Sequence, residues 1–222
     1  MHYKRRHIME FLEALKRRTS VRDFTDKPID AETLREIVED AQKSPSWTNS
    51  QPWKVYIATG DTLKDLQKDH KYLSDNGVQG SPDFPVPDKS PEGWGKLSHK
   101  NIMSWIGEIR NDPAMGDLMG ANSRLWNAPA IAYITIPRSA PVWSIFDAGS
   151  FAHLLMLAAA SRKIDTMIAY SNIKYSNEIR TRMDIPDDEA IIAGIALGYR
   201  SEDKINSYRS PRSVAEGILK IM

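Results

Sequence analysis

Residues 17–22 read Arg17-Arg18-Thr19-Ser20-Val21-Arg22, three guanidiniums around two hydroxyls. Apolar Ile8, Phe11, Leu12 and Leu15 recur before them at helical spacing, which puts the run at a helix exit. Guanidiniums beside hydroxyls and backbone N–H groups can hold a phosphate through charge-assisted hydrogen bonds. Cations in a last turn also complement the helix dipole, so the run equally suits a solvated helix end. A second segment, Pro45-Ser46-Trp47-Thr48-Asn49-Ser50-Gln51-Pro52-Trp53, packs hydroxyls, amides and two Trp between prolines. It suits the edge of a heteroaromatic ring, or an ordinary polar loop with anchoring tryptophans. A third, Arg209-Ser210-Pro211-Arg212, adds two guanidiniums that could complete a phosphate cage or simply stay solvated.

Other chemistries find little support. There is no G-x-G-x-x-G after a strand and no G-x-x-x-x-G-K-[ST], which argues against a Rossmann dinucleotide site or a P-loop. The five His (His2, His7, His70, His99, His153) are scattered without H-E-x-x-H, so nothing supports a metal site. Asp147, Ser150 and His153 would spread around one helix axis, which is no geometry for a triad; His153 is expected to be a packed polar residue. No Cys is present, which removes disulfides, thiolate metal sites, Fe–S clusters and cysteine nucleophiles.

The elements that must position these segments follow from periodicity. Helices are expected over Ile8–Arg18, from an Asp30 cap through Leu34, Ile37, Val38 and Ala41, and from an Asp61 cap to about His70. Further helices are expected at Leu97–Arg110, Met115–Trp126, Ile145–Ser161 and Asn177–Met183. Of these Ile145–Ser161 is apolar nearly all round, as a central buried helix is. Strands are expected at Trp53–Thr59, Ala130–Ile136, Thr166–Ala169 and Ala190–Leu197. Leu73–Gly95 holds four Pro and four Gly with little periodicity and reads as a long surface excursion. The result is an α+β fold with a small sheet and a thick helical coat.

The whole chain has 222 residues, 41% hydrophobic and 27% charged, enough for one domain or two small ones with a proper core. Thirty Lys+Arg against 29 Asp+Glu leave a net charge of +1, which argues against nucleic acid or an anionic membrane as the main partner. No secretory h-region or membrane span is expected, the best apolar stretch being Leu154–Ala160. A soluble, cytoplasmic protein is the expectation.

Taken together, R-x-S-x-R, then P-S-x-x-N-x-Q-P-W, then an R-x-x-R tail after Ile195-Ala196-Leu197-Gly198-Tyr199 resemble the FMN-dependent nitroreductase family. The resemblance runs from about Phe11 to Ile218, is weakest across 73–109, and is greatest to the nitrobenzoate-reductase subgroup. It implies a nitroreductase-like α+β fold: a small, mostly antiparallel sheet surrounded by helices, in an intertwined homodimer with FMN at the interface. A single FMN-binding domain over 1–222 is expected, with a variable substrate mouth around 73–110. By the resemblance, Arg18, Thr19, Ser20 and Arg22 match the first cofactor segment. Arg18 and Ser20 would hold phosphate and ribityl oxygens, and Arg22 would approach the pyrimidine edge. Pro45, Ser46, Trp47 and Asn49 match the segment given by the partner subunit. Arg124 matches a cation near flavin N1/O2, Tyr170 and Ser171 match backbone positions by N5, and Arg209 and Arg212 match phosphate contacts. The chain departs from many relatives at Tyr170-Ser171 (often Glu-Gly), at Ala121 (an Asn in some) and at Trp47 (often small).

The implied activity is NAD(P)H-dependent reduction of nitroaromatic, quinone or similar flat acceptors by ping-pong hydride transfer through flavin N5. The protein would supply orientation and charge, with no catalytic side chain. Trp47, Trp94, Trp105, Tyr72 and Phe84 are candidates to stack on an acceptor, with Trp105 and Phe84 equally placed as core. The alternatives are enone reduction, dehalogenation or flavin fragmentation on the same scaffold, a non-catalytic flavin-binding sensor, or a helical interaction protein.

Overall fold

Strands β2 (Ala130–Pro137) and β4 (Glu189–Gly198) are apolar almost without interruption, and seven of the eight residues of β2 are buried. Such runs need cover on both faces. In this computed structural model, which describes residues 10–85, 95–111 and 117–222, they form the centre of a four-stranded antiparallel sheet. The order is β1-β2-β4-β3, with β1 at Lys54–Thr59 and β3 at Asp165–Ile168. The register sets Ala132 opposite Ile57 and Ile195, and a bulge falls between Ile134 and Thr135.

Strand alternation sorts the core into two layers. Ala130, Ala132, Ile134 and Ile136 face Phe151, Ala152 and Leu155 of α6 (Val142–Ser161) and Leu34 and Ile37 of α2 (Ala31–Ala41). Ile131 and Tyr133 face Leu63 and Leu66 of α3 (Gly60–Asp75) and Ile179 of α7 (Ser176–Met183). Each fully buried Ile, Leu or Phe contributes roughly 1.5–3 kcal/mol. The remaining helices are α1 (Phe11–Arg17), α4 (Gly95–Asn111) and α5 (Leu118–Ser123).

The expected elements are present, with shifts at their ends. α1 begins at Phe11, Ile8 lying outside the described residues, and its Phe11, Leu12 and Leu15 are exposed rather than buried. α2 has its Asp30 cap: Oδ1 accepts from Thr33 N at 2.8 Å. α3 starts one residue before Asp61 because Gly60, at φ 54°, turns the chain straight out of β1. It runs on to Asp75, and Gly77 at φ 65° lies beyond its end. The helix expected over Met115–Trp126 is cut to Leu118–Ser123 by left-handed Leu125, Trp126 and Asn127, Met115 lying outside the described residues. α6 starts earlier than expected, at Val142 behind Pro141. Only its later part is a buried core helix: Val142, Trp143 and Phe146 are exposed, and so is His153, which is not packed. By length and composition α6 could cross a membrane, but its buried face packs on the sheet.

The described part of the excursion is tied down. Asp83 accepts from Arg138 (2.7 Å), Arg180 (2.8 Å) and Ile191 N (2.7 Å), and Tyr175 donates to Val78 O at 3.1 Å. Phe84 is partly buried and packs against the core, while Tyr72 is exposed. Trp94 and the Trp105 side chain lie outside the described residues.

Near the start of β4 the buried Glu189 accepts from Thr135 Oγ1 (2.6 Å) and Tyr56 OH (3.0 Å) and pairs with Lys54. Burial pushes its carboxyl up, but the bonds from Lys54, Thr135 and Tyr56 outweigh it and hold the group below the usual carboxylate range. A depressed carboxylate contributes stability that is present above its unfolded value and lost as pH falls through its folded one. Thermal stability is therefore expected to fall steadily below about pH 4.3, and Glu189→Gln is expected to flatten that fall. Melting curves between neutral and acid pH check this.

Candidate functional site

Asp165, at the start of β3, is buried and gathers two arginines. Its carboxylate accepts from Arg17 Nη2 (3.1 and 3.2 Å) and from Arg200 Nη2 (2.6 Å), Nε (3.0 Å) and backbone N (3.2 Å). This clamp fixes where the chain leaves α1. Ser20 then bridges Thr166 and Val21 N donates to Thr166 O at 3.1 Å, so 18–22 lies extended beside β3.

The C-terminal segment comes to meet it. Asn206, also buried, accepts from Arg22 N (2.8 Å) and Asp23 N (3.1 Å) through Oδ1. Its Nδ2 donates to Asp23 O (2.8 Å) and Ser201 O (3.2 Å). Beyond it, the Tyr208 ring lies 5.1 Å from the Arg22 guanidinium carbon. Burial lowers the Arg22 pKa, Tyr208 opposes that and Arg209 adds to it. Burial and then the charge of Arg212 lower that of Arg18.

Four cations thus converge from two distant segments. Among the described residues no carboxylate is paired with Arg18, Arg209 or Arg212. Next to Arg18, Thr19 Oγ1 is buried with no partner among the described residues. Gathered guanidiniums, two of them with pKa lowered by burial and then by a neighbouring guanidinium, next to a hydroxyl donor, have the chemistry of an anion site. The donor set fits a phosphate monoester.

The other expected positions divide. The turn after Arg124 lies against this segment through Phe24 N to Trp126 O (3.0 Å) and Asn127 Nδ2 to Asp23 Oδ1 (2.7 Å). Arg124 itself is half-buried, 3.6 Å from Asp117. Tyr170 and Ser171 follow β3 in a 3-10 turn that Trp126 Nε1 reaches at Asn172 Oδ1 (3.0 Å). Tyr170 is exposed and Ser171 buried. Ala121 packs in the core layer and offers the site no polar group.

Pro45, Ser46, Trp47 and Asn49 lie elsewhere. Trp47 N donates to buried Asp147 (3.0 Å), Ser46 Oγ accepts from Gln51 N (3.0 Å), and Ser44 bonds Ser150 (2.9 Å). The segment therefore sits on the first half of α6, while 18–22 lies beyond its far end. Thr48, Asn49 and Gln51 all have positive φ, and Trp47 stacks on Trp143 at 5.8 Å. Asp147 and Ser150 are thus committed to the loop, and a triad with His153 does not form.

The Nitroreductase family model matches residues 15–199. This chain belongs to that family. It is 29% identical to 4-nitrobenzoate reductase of Pseudomonas putida over 92% of both chains. It is 26% identical to nitrobenzene nitroreductase of Ectopseudomonas oleovorans over 84% of this chain and 85% of that one. In fold it is similar to the FMN-dependent nitroreductase NfnB from Mycobacterium smegmatis, solved in complex with NADPH. The TM-score is 0.83, at 23% identity over 96% of this chain and all of that one.

Sequence reasoning missed the residues that hold the family's segments together here. Asn206 and Tyr208 stand next to Arg209 but carry no pattern of their own. Asp165 reads as a lone acid before a strand, and Trp126–Asn172 joins residues 46 apart.

Proposed function

We propose that this protein is an FMN-dependent NAD(P)H oxidoreductase that reduces nitroaromatic and similar flat, electron-poor acceptors. The observation that carries the reading is the convergence of Arg18, Arg22, Arg209 and Arg212 in a member of the Nitroreductase family. The names of the relatives point to nitrobenzoates and nitrobenzenes as the acceptor class.

The isoalloxazine of FMN supplies the redox chemistry, exchanging hydride at N5. In this reading Arg18, Arg209 and Arg212, with Thr19, hold the phosphate, and Ser20 meets the ribityl chain. Arg22 and Arg124 set a positive field at the pyrimidine edge that favours electron uptake. The backbone of Tyr170 and Ser171 would lie on the N5 side. Pro45, Ser46, Trp47 and Asn49 come from a second copy of the chain, because in one copy they lie away from the cation cluster. The exposed Phe11, Leu12, Trp47, Val142, Trp143 and Phe146 supply an apolar surface for that homodimer. If nicotinamide and acceptor share one binding place over the bound flavin, the kinetics would be ping-pong. A single cofactor-binding domain and a cytoplasmic location belong to the same reading.

An anaerobic visible spectrum is expected to show flavin bands that bleach on adding NADH or NADPH and return with a nitrobenzoate. Arg22→Leu is expected to lower FMN content or make the flavin harder to reduce. A colourless protein that takes up no FMN overturns the assignment.

A further inference from the structure

Between α3, β2 and α7 lies a small cavity of about 10 Å³, lined by Leu66, His70, Leu125, Tyr133, Asn172, Tyr175, Glu178 and Ile179. Three buried polar atoms of its lining, His70 Nε2, Tyr133 OH and Glu178 Oε2, have no partner among the described residues. His70 and Tyr133 are 5% and 0% exposed, so bulk water does not serve them. Leaving each such atom unsatisfied costs about 1–3 kcal/mol.

The surroundings favour one protonation pattern. His70 Nδ1 lies 2.9 Å from Ser123 O, a carbonyl that can only accept, so Nδ1 carries the proton. Burial lowers the His70 pKa. The Ser123 and Ser171 carbonyls oppose that and Lys174 adds to it, and the net direction keeps the ring neutral. With the proton on Nδ1, Nε2 is left as an acceptor with no partner in hydrogen-bond geometry among the described residues. Tyr133 is buried and its phenol pushed upward, so its O–H stays protonated and can donate. Glu178 Oε2 accepts.

Two acceptors and one donor around a space of one water volume match a single water molecule, which donates twice and accepts once. We propose that this cavity binds one permanent water. With that water, His70 is a positioning residue that locks Ser123, and so Arg124, onto α3 next to the Tyr170–Ser171 turn. The water site stands on its own geometry; the positioning role rests on the flavin reading above.

The test has two arms. In the first, the protein as purified is crystallised at high resolution, and the imidazole nitrogens are followed by 15N NMR. Expected is one ordered water within hydrogen-bond distance of His70 Nε2, Tyr133 OH and Glu178 Oε2, a neutral Nδ1–H ring, and loss of that water in Tyr133→Phe. A dry cavity, a direct His70–Glu178 bond or an Nε2–H ring overturns the water site. This arm needs no flavin, so it stands or falls separately from the proposed function. In the second, FMN affinity and the bound-flavin spectrum are compared across variants. His70→Phe is expected to weaken FMN about fivefold and shift the spectrum, with partial rescue by His70→Gln. A folded His70→Phe with unchanged affinity and spectrum overturns the positioning role. If His70→Phe does not fold, Tyr133→Phe carries the same comparison.

Discussion

Asp165→Asn is expected to lower stability by about 2–4 kcal/mol, because it leaves two guanidiniums facing a neutral amide. For a chain of this size that is a fall of roughly 5–15 °C in melting temperature. The carboxylate side chain is 4% exposed, whereas those of Arg17 and Arg200 are 29% and 32% exposed, so water can only partly replace the lost charge. Its bonds raise the pKa of Arg200, the sign of a pair that favours its charged form. The exposed pair Lys71–Asp75 supplies the control. Lys71→Gln is expected to change stability by less than about 0.5 kcal/mol. Equal effects at the two sites would show that solvent screens the Asp165 clamp as well. Because that clamp sets the exit from α1, Asp165→Asn is also expected to lower phosphate affinity at the neighbouring cluster.

Arg18→Gln should do the opposite to the empty and the loaded protein. Burial and Arg212 lower the Arg18 pKa, so the fold disfavours its charge, and removing that charge is expected not to destabilise the apo-protein. Its apo melting temperature is expected to stay level or rise. A charge-assisted bond to a phosphate is worth about 1.5–3 kcal/mol, so FMN should bind about tenfold to a hundredfold more weakly. Inorganic phosphate should raise the wild-type melting temperature and raise that of the variant less. Calorimetric titration with FMN and melting in phosphate check both. Loss of apo stability with unchanged FMN affinity would make Arg18 a structural residue and remove it from the site.

Much of this was legible in order of appearance along the chain. Apolar continuity in 130–136 and 190–197 marks central strands, because a sheet covered on both faces needs no polar alternation. Asp30 marks a helix start because its carboxylate can satisfy Thr33 N. Element ends were less legible, since a left-handed turn such as Leu125–Asn127 is imposed by where Trp126 must pack, not by a glycine.

The sequence by itself determined the donor types: guanidiniums in 17–22 and 209–212, and amides and hydroxyls in 45–51. It determined the absence of cysteine chemistry and the α+β class as well, because these depend on residue type and local period. Tertiary structure alone decided which donors meet. Arg22 and Asn206 are 184 residues apart, and only the Asp165 clamp and the path beside Thr166 bring them to 2.8 Å. It also decided that the 45–49 loop lies away from that cluster, and that His70, Tyr133 and Glu178 close on one small cavity. Such meetings depend on long-range packing, and no local pattern in the chain encodes them.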